Sequence, residues 1–78
     1  NIAVARAYQG RGLGAVLLEA LLDEAVRRNC AEVWLEVRTD NDSAQRLYTR
    51  HGFEAAGIRR GYYQPGNHDA LIMRKALA

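Results

Sequence analysis

The segment EVWLEVRTDNDSAQRLYTRHGF, residues 32–53, predicts a β-strand followed by a short helix. Apolar and polar side chains alternate over residues 32–38, which is the period of a strand with one buried side. Asp42 and Gln45 then have the spacing of a capping box, and apolar side chains recur after them at helical intervals. Because glycine commonly follows the last turn of a helix, Gly52 is the predicted end of this one.

The flanking segments extend this pattern in both directions. Residues 2–4 predict the end of a buried strand, and a helix is predicted over residues 13–28. Two strands, residues 53–63 and 68–75, flank a turn whose Pro65-Gly66 pair is typical of hairpins. The order strand, helix, strand, helix, hairpin predicts an α/β fold. The residues expected to form the buried face of the first helix are Leu13, Val16, Leu17, Leu21, Leu22, Ala25 and Val26.

Length and composition narrow the possible classes. The chain has 78 residues, enough for one small domain, and it begins at Asn1 rather than Met, which suggests a segment of a longer protein. Its net charge is +2 and its charged residues are scattered along the chain, so no nucleic-acid partner is expected. Its single cysteine, Cys30, excludes an internal disulfide and is compatible with a cytoplasmic location. No apolar run reaches the length of a membrane span, and no membrane association is expected.

The most informative short motif opens the first predicted helix and has the sequence Gln9-Gly10-Arg11-Gly12-Leu13-Gly14. Glycines let the backbone approach a ligand closely, and a helix N-terminus supplies N–H donors and partial positive charge. The motif therefore predicts a site for a pyrophosphate, with Arg11 as a charge-assisted contact. A plain glycine turn between strand and helix is the alternative.

Two other phosphate-binding motifs compete for the same residues. The loop lacks the Lys-Ser/Thr pair of a P-loop, which excludes that motif. The dinucleotide fingerprint remains open, because Gly10-x-Gly12-x-x-Ala15 fits it and Glu36 lies where a ribose-binding acid is expected. Against it, five residues separate Val4 from Gly10, whereas the fingerprint needs a tight turn directly after the strand.

Three motifs in order resemble the GNAT superfamily of N-acetyltransferases. Gln9-x-x-Gly12-x-Gly14 resembles its coenzyme A loop. A second motif is similar to the next strand and helix of that family, and it reads Leu35-Glu36-Val37-Arg38-x-x-Asn41-x-x-Ala44-x-x-Leu47-Tyr48-x-x-x-Gly52-Phe53. A third motif resembles the protein N-terminal acetyltransferases, above all the RimI-type ribosomal-protein-alanine N-acetyltransferases. It reads Ile58-Arg59-Arg60-x-Tyr62-Tyr63 followed by Asp69-Ala70-x-x-Met73. The resemblance implies that residues 1–78 form the acetyl-coenzyme A-binding C-terminal half of a GNAT domain around a mixed sheet.

The family reaction moves an acetyl group from the thioester of acetyl-coenzyme A (acetyl-CoA) to an amine and uses no metal. The resemblance implies that Glu36 is the general base, acting directly or through a water, and that Tyr48 protonates the leaving sulfur. Each residue has a structural alternative. Glu36 would pair with Arg38 or another cation as surface structure, and Tyr48 would be an aromatic core residue.

The resemblance also implies binding residues for the two substrates. Tyr62 and Tyr63 match a hairpin that borders the acceptor peptide, with ordinary strand pairing as their alternative. Asn41 matches an amide that faces the pantetheine arm, unless it only caps the helix. The backbone of residues 2–4 matches a strand that polarises the thioester carbonyl. The full set implied for the cofactor is Ile2, Ala3, Val4, Gly10, Arg11, Gly12, Leu13, Gly14, Ala15 and Asn41.

The acceptor implied by the resemblance is the N-terminal alanine of a ribosomal protein. Ala5-Arg6 departs from the family, in which an Asp-Pro pair is common at this point, and the family's first strands and helices are missing. Three alternatives stay open. They are an enzyme acting on a small amine, a non-catalytic half-module that binds coenzyme A or self-associates, and a fragment of a nicotinamide-dependent oxidoreductase.

Overall fold

The computed structural model describes residues 2–6, 14–63 and 68–77. These residues form four strands and two helices in the predicted order, so the expected α/β architecture is confirmed. The predicted turn between the last two strands lies outside the described residues. The elements are β1 (Ile2–Arg6), α1 (Ala15–Arg27), β2 (Glu32–Arg38), α2 (Asp42–Arg50), β3 (Glu54–Tyr63) and β4 (His68–Ala76).

The four strands form one mixed sheet in the order β1-β2-β4-β3. β1 and β2 are parallel, with Ala3 opposite Val33, and the crossover between them contains α1. β2 and β4 are antiparallel, with Leu35 opposite Met73, and β4 also pairs antiparallel with β3. The strand after α2 therefore does not join the sheet as another parallel strand, as it would in a doubly wound dinucleotide fold.

The core lies on one side of this sheet, which we call the covered face. Val33, Leu35 and Val37 project from β2 onto that side and are almost completely buried. Both described helices pack there, since the same apolar cluster includes residues of α1 and α2. The alternation predicted for residues 32–38 is thus confirmed. The remaining buried members of the cluster are Leu18, Ala25, Ala44, Tyr48, Phe53 and Met73.

The buried face of α1 differs from the predicted one. Leu18 is fully buried although it was not among the predicted residues, whereas Val16, Leu17 and Val26 are exposed. Leu21, Leu22 and Ala25 follow Leu18 at intervals of three, four and seven residues and pack against the core. At about 100° per residue these four side chains share one stripe, and Val16 projects from the opposite side. Leu13 lies outside the described residues.

Both helices end in a Schellman motif. After α2, Gly52 has a φ of +93°, its N–H donates to Thr49 O at 3.0 Å, and Phe53 N–H donates to Tyr48 O at 3.0 Å. The rings of Tyr48 and Phe53 meet edge to face with centroids 6.1 Å apart, which is the apolar contact that accompanies this motif. Gly52 is therefore confirmed as the helix end. After α1 the left-handed residue is Asn29, with a φ of +58°.

Candidate active site

The second side of the sheet, which we call the open face, holds all the polar side chains of β2. Because side chains alternate along a strand, Glu32, Trp34, Glu36 and Arg38 project away from the two helices and are half-buried. A depression of about 400 Å³ lies on this face. Its lining includes Ile2, Val4, Trp34, Glu36, Arg59 and Ile72, so a carboxylate and a guanidinium stand among apolar side chains.

Glu36 is the acidic residue of this pocket. Its side chain is 17% exposed, and Oε1 lies 3.4 Å from Nη1 of Arg59, whose side chain is 52% exposed. Arg59 belongs to β3, so its side chain spans β4 to reach Glu36. Arg38, the alternative partner predicted for Glu36, pairs instead with both carboxylate oxygens of Asp40, at 3.0 and 2.8 Å. The ion pair of Glu36 is thus made with another cation from a distant strand.

Trp34 lines the pocket beside Glu36, and one hydrogen bond fixes the orientation of its indole. Its Nε1–H donates to Oε1 of Glu32 at 3.0 Å. Arg74 of β4 donates to the other oxygen of the same carboxylate. The bond from Trp34 first, and then that from Arg74, lower the pKa of Glu32 below its ordinary value. Glu32 therefore anchors both the indole and the neighbouring strand.

Tyr48, the predicted acid, lies on the covered face. Its side chain is 0% exposed and packs against Phe53 in the core. The structure therefore confirms its alternative role as an aromatic core residue, whereas its protonation role stays a prediction. The side chains of Glu36 and Tyr48 are therefore on opposite faces of the sheet.

Asn41 is the N-cap of α2. Its Oδ1 accepts a hydrogen bond from Ala44 N–H at 3.2 Å and another from the Ser43 hydroxyl at 3.2 Å. The predicted capping box of Asp42 and Gln45 is wrong, because Asp42 is already the first residue of the helix. The Gln45 amide donates instead to the carbonyl oxygens of residues 38 and 39, at 3.1 and 3.0 Å. It ties α2 to the end of β2.

The remaining predicted cofactor residues are only partly described. Gly14 is the N-cap of α1 and, as a glycine, has no side chain with which to cap it. Its carbonyl oxygen accepts a hydrogen bond from Leu18 N–H at 2.9 Å. Ala15 begins the helix, not Leu13 as predicted. Residues 2–4 lie in β1, with the side chains of Ile2 and Val4 exposed. The loop residues Gly10, Arg11, Gly12 and Leu13 lie outside the described residues.

Tyr62 and Tyr63 end β3, where Tyr63 pairs with His68 of β4. The pairing confirms the structural alternative for this segment and leaves contact with an acceptor a prediction.

His51 contacts Leu47 O and Glu19 through its ring nitrogens, at 2.9 and 3.5 Å, which links the two helices. His51 therefore has a structural role in joining the two helices.

Within the described ranges, no group of three His, Cys, Asp or Glu side chains is placed to hold a metal ion. Neither α1 nor α2 is long and apolar enough to cross a membrane. Sequence reasoning did not single out Arg59 as a residue of the site. It stands inside the hairpin motif quoted above, so the motif was the available signal, but the motif did not indicate that Arg59 contacts Glu36.

Comparison with known proteins adds to this geometry. A model of the acetyltransferase (GNAT) family matches residues 1–53 of this chain. The [ribosomal protein bS18]-alanine N-acetyltransferase of Escherichia coli (strain K12) is 52% identical over 75 residues, covering 94% of this chain and 51% of that protein. The chain therefore spans about half the length of the curated relatives it matches.

Solved structures agree with these sequence matches. The ribosomal-protein-S18-alanine N-acetyltransferase from Escherichia coli superimposes with a TM-score of 0.75 at 46% identity, over 91% of this chain and 47% of that one. The NatC complex bound to Gag peptide and CoA gives a TM-score of 0.78 at 31% identity, over 91% of this chain and 44% of that one.

Proposed function

This chain belongs to the GNAT acetyltransferase family, and from that membership we propose that it is the acetyl-CoA-binding half of an enzyme that acetylates a protein N-terminus. The acceptor that we propose is the N-terminal alanine of a ribosomal protein, because that is the reaction named for its relative in Escherichia coli. The single observation that carries the proposal is the position of Glu36. It is a half-buried carboxylate, paired with Arg59, among apolar side chains on the strand that the family motif identifies.

The reaction needs a base at that position. A free α-amino group has a pKa of about 8, so most of it is protonated at neutral pH and must lose a proton before it attacks. Glu36 accepts this proton, directly or through a water. Ile2, Val4 and Ile72 line the pocket beside Glu36 with apolar side chains.

The leaving thiolate needs a proton, and we assign its donation to the Tyr48 phenol. Since Glu36 and Tyr48 are on opposite sides of the sheet, the acetyl group has to lie where both sides are accessible. Pairing of β1 with β2 runs from Ile2 opposite Glu32 to Arg6 opposite Glu36. Within the described residues, β2 continues past the last residue of β1. We place the thioester at this end of the parallel pair.

The cofactor would be held by the elements on either side of that point. The N-terminus of α1, with Gly14 and Ala15, offers backbone donors to the pyrophosphate, and we propose that Gly10, Arg11, Gly12 and Leu13 complete this cradle. Backbone groups of residues 2–4 would pair with the pantetheine arm. Asn41 has its Oδ1 engaged in capping, and its Nδ2 is chemically suited to donate to pantetheine at the same time.

The acceptor peptide would enter from the hairpin side, bordered by the segment that contains Tyr62 and Tyr63. The proposed enzyme uses acetyl-CoA as cosubstrate and requires no metal, and its proposed location is the cytoplasm. We further propose that residues 1–78 are the C-terminal half of a larger catalytic domain, because the relatives that they match are about twice as long.

The test is a transfer assay on the native polypeptide that contains residues 1–78. It is incubated with acetyl-CoA and a peptide that begins with alanine, and the peptide is analysed by mass spectrometry. We expect one acetyl group on the α-amine. The matched control is the same peptide with its N-terminus blocked and an internal lysine, which should remain unmodified. Acetylation of small amines but of no peptide would contradict the proposed acceptor.

A second candidate is favoured by the exposed apolar side chains of β1. Ile2 and Val4 are 59% and 69% exposed on a strand at the edge of the described sheet. Such an edge can pair with another chain. The candidate is a non-catalytic half-module that self-associates. Light scattering and the transfer assay, both on the native polypeptide, distinguish the two candidates, because an obligate dimer without transferase activity would support the half-module.

A further inference from the structure

The long strand β3 is irregular at the place where it approaches the proposed acceptor site. Its ten residues pair with a shorter segment of β4, and the register shifts twice, between Ala55 and Gly57 and again between Arg59 and Tyr63. The second irregularity contains Gly61, whose φ of +63° is in the left-handed region. Tyr62 and Tyr63 follow immediately, so the geometry of this bulge determines where their backbone lies.

One side chain holds the bulge in place. Oδ1 of Asp69, on β4, accepts a hydrogen bond from Gly61 N–H at 2.9 Å. Oδ2 of the same carboxylate lies 3.6 Å from Nη1 of Arg60. The bulge removes Gly61 N–H from the regular ladder, and Asp69 satisfies this half-buried donor with a charge-assisted bond, which is stronger than a bond between neutral groups.

The backbone of Asp69 also contacts the cofactor side of the proposed site. Its carbonyl oxygen accepts from Thr39 N–H at 3.1 Å. Thr39 follows β2 and precedes Asn41, the cap of α2 that we assign to pantetheine. Asp69 is therefore bonded to the acceptor hairpin through its side chain and to the cofactor-side loop through its backbone. A change of its side chain affects only the first of these contacts.

We propose that Asp69 is a positioning residue that fixes the bulge at Gly61 and thereby sets the affinity of the enzyme for its acceptor peptide. The inference rests on the proposed function, since it assumes that the segment after Gly61 borders the acceptor. The hydrogen bond from Gly61 N–H is the contact by which Asp69 fixes the bulge. The ion pair with Arg60 contributes little, because the Arg60 side chain is 84% exposed and exposed pairs are weak.

Three variants of the native polypeptide separate these contacts. Asp69→Ala removes the acceptor of the Gly61 bond, Asp69→Asn keeps an oxygen in the same place, and Arg60→Gln removes only the ion pair. We expect Asp69→Ala to raise the KM for the acceptor peptide about tenfold, as for loss of a hydrogen bond to a charged group. The KM for acetyl-CoA and the kcat should change less than about twofold. Asp69→Asn should restore most of the acceptor affinity, and Arg60→Gln should match the wild type.

Gly61→Ala gives an independent route if Asp69→Ala does not fold. A Cβ at Gly61 meets nothing within 4 Å, so this variant strains the backbone of the bulge without a clash. We expect it too to raise the KM for the acceptor and to spare that for acetyl-CoA. Amide exchange at residue 61 provides a structural readout, since the N–H should exchange faster in Asp69→Ala than in Asp69→Asn.

The outcomes separate this inference from the function on which it rests. A wild-type protein that transfers no acetyl group to any alanine-terminated peptide overturns the proposed function and the inference together. If the wild type is active, an unchanged acceptor KM in Asp69→Ala and Gly61→Ala overturns the role of Asp69 alone. An equal rise of both KM values also overturns it, because it would show a general loss of structure. An acceptor-specific rise with rescue by Asp69→Asn supports it.

Discussion

The two faces of the sheet are built from alternate residues of the same strand, and they differ in almost every physical property. On the covered face, Val33, Leu35 and Val37 are sealed beneath two helices. On the open face, every second residue of β2 is half-buried and carries a polar or amphipathic side chain. One face is a packed apolar core, and the other is a shallow pocket crossed by ion pairs.

The difference indicates how the seven residues of β2 serve both the stability of the fold and the candidate site. Apolar burial on the covered face supplies the free energy that holds the strand rigid. The open face then presents its carboxylates from a rigid support, and each is held by a cation from another strand, Arg74 for Glu32 and Arg59 for Glu36. We expect substitutions on the covered face to change stability and most substitutions on the open face to change catalysis. Tyr48 and Glu32 are exceptions, since Tyr48 is buried in the core and is also assigned a chemical role, whereas Glu32 on the open face ties β2 to β4.

The largest expected effect tests the two proposed proton-transfer residues. Glu36→Gln and Tyr48→Phe in the native polypeptide should each lower kcat by about 10² or more, because each removes a proton-transfer group. Acetyl-CoA affinity should remain nearly unchanged. The measurements are steady-state turnover across pH and calorimetric titration with acetyl-CoA. Normal turnover of both variants at every pH would show that the acid–base assignment is wrong.

Tyr48 also allows its two roles to be separated. Tyr48→Phe keeps the ring against Phe53, so the free energy of unfolding should change little. Tyr48→Ala removes the ring and should cost about 3–5 kcal/mol of stability, as large aromatic truncations in cores do. If the phenylalanine variant keeps full activity, Tyr48 is a core residue and nothing more.

The next effect compares two valines on adjacent strands. Val33 is 0% exposed on the covered face and Val4 is 69% exposed on the open face. Val33→Ala should lower the free energy of unfolding by about 2 kcal/mol, through lost burial and a cavity. Val4→Ala, the same chemical change, should cost less than about 0.5 kcal/mol. Urea denaturation of residues 1–78 measures both. Equal losses would mean that the two faces are not energetically distinct.

The smallest effect concerns the anchor of Trp34. The folded-state pKa of Glu32 is lowered, so its stabilising contribution is present above the ordinary value of 4.5 and is lost as pH falls below it. Glu32→Gln should therefore be less stable than wild type at pH 7, and the gap should narrow as the buffer is made more acidic through that range. Urea midpoints at several pH values measure this. A gap that is constant with pH would contradict the proposed electrostatic origin.

Local patterns predicted much of this molecule. The alternation of residues 32–38 identified both faces of β2, and Gly52 identified the end of α2, because each depends only on neighbouring residues. The predicted buried face of α1 was only partly right, and the reason is physical. Apolar residues occupy most of its circumference, so spacing alone does not show which stripe meets the sheet. Likewise, Asn41 and Asp42 are adjacent and both able to cap, and the backbone decides between them.

The contacts of the candidate site could not be predicted in the same way. The pair of Glu36 and Arg59 joins residues of β2 and β3, which are not neighbours in the sheet. The bond from Gly61 to Asp69 depends on a register shift between two strands. Both contacts require the strand order and the bulges to be known, whereas the family motif only marked the segments that contain them.

A calorimetric titration of residues 1–78 with acetyl-CoA, with NAD as the control ligand, tests directly whether this chain binds the cofactor. We expect saturable binding of acetyl-CoA and none of NAD, since this half is proposed to hold the cofactor loop, the pantetheine strand and Asn41. Circular dichroism should first establish that the chain is folded. A folded chain that binds NAD but not acetyl-CoA, or that binds neither, would contradict the claim that this is the cofactor-binding half.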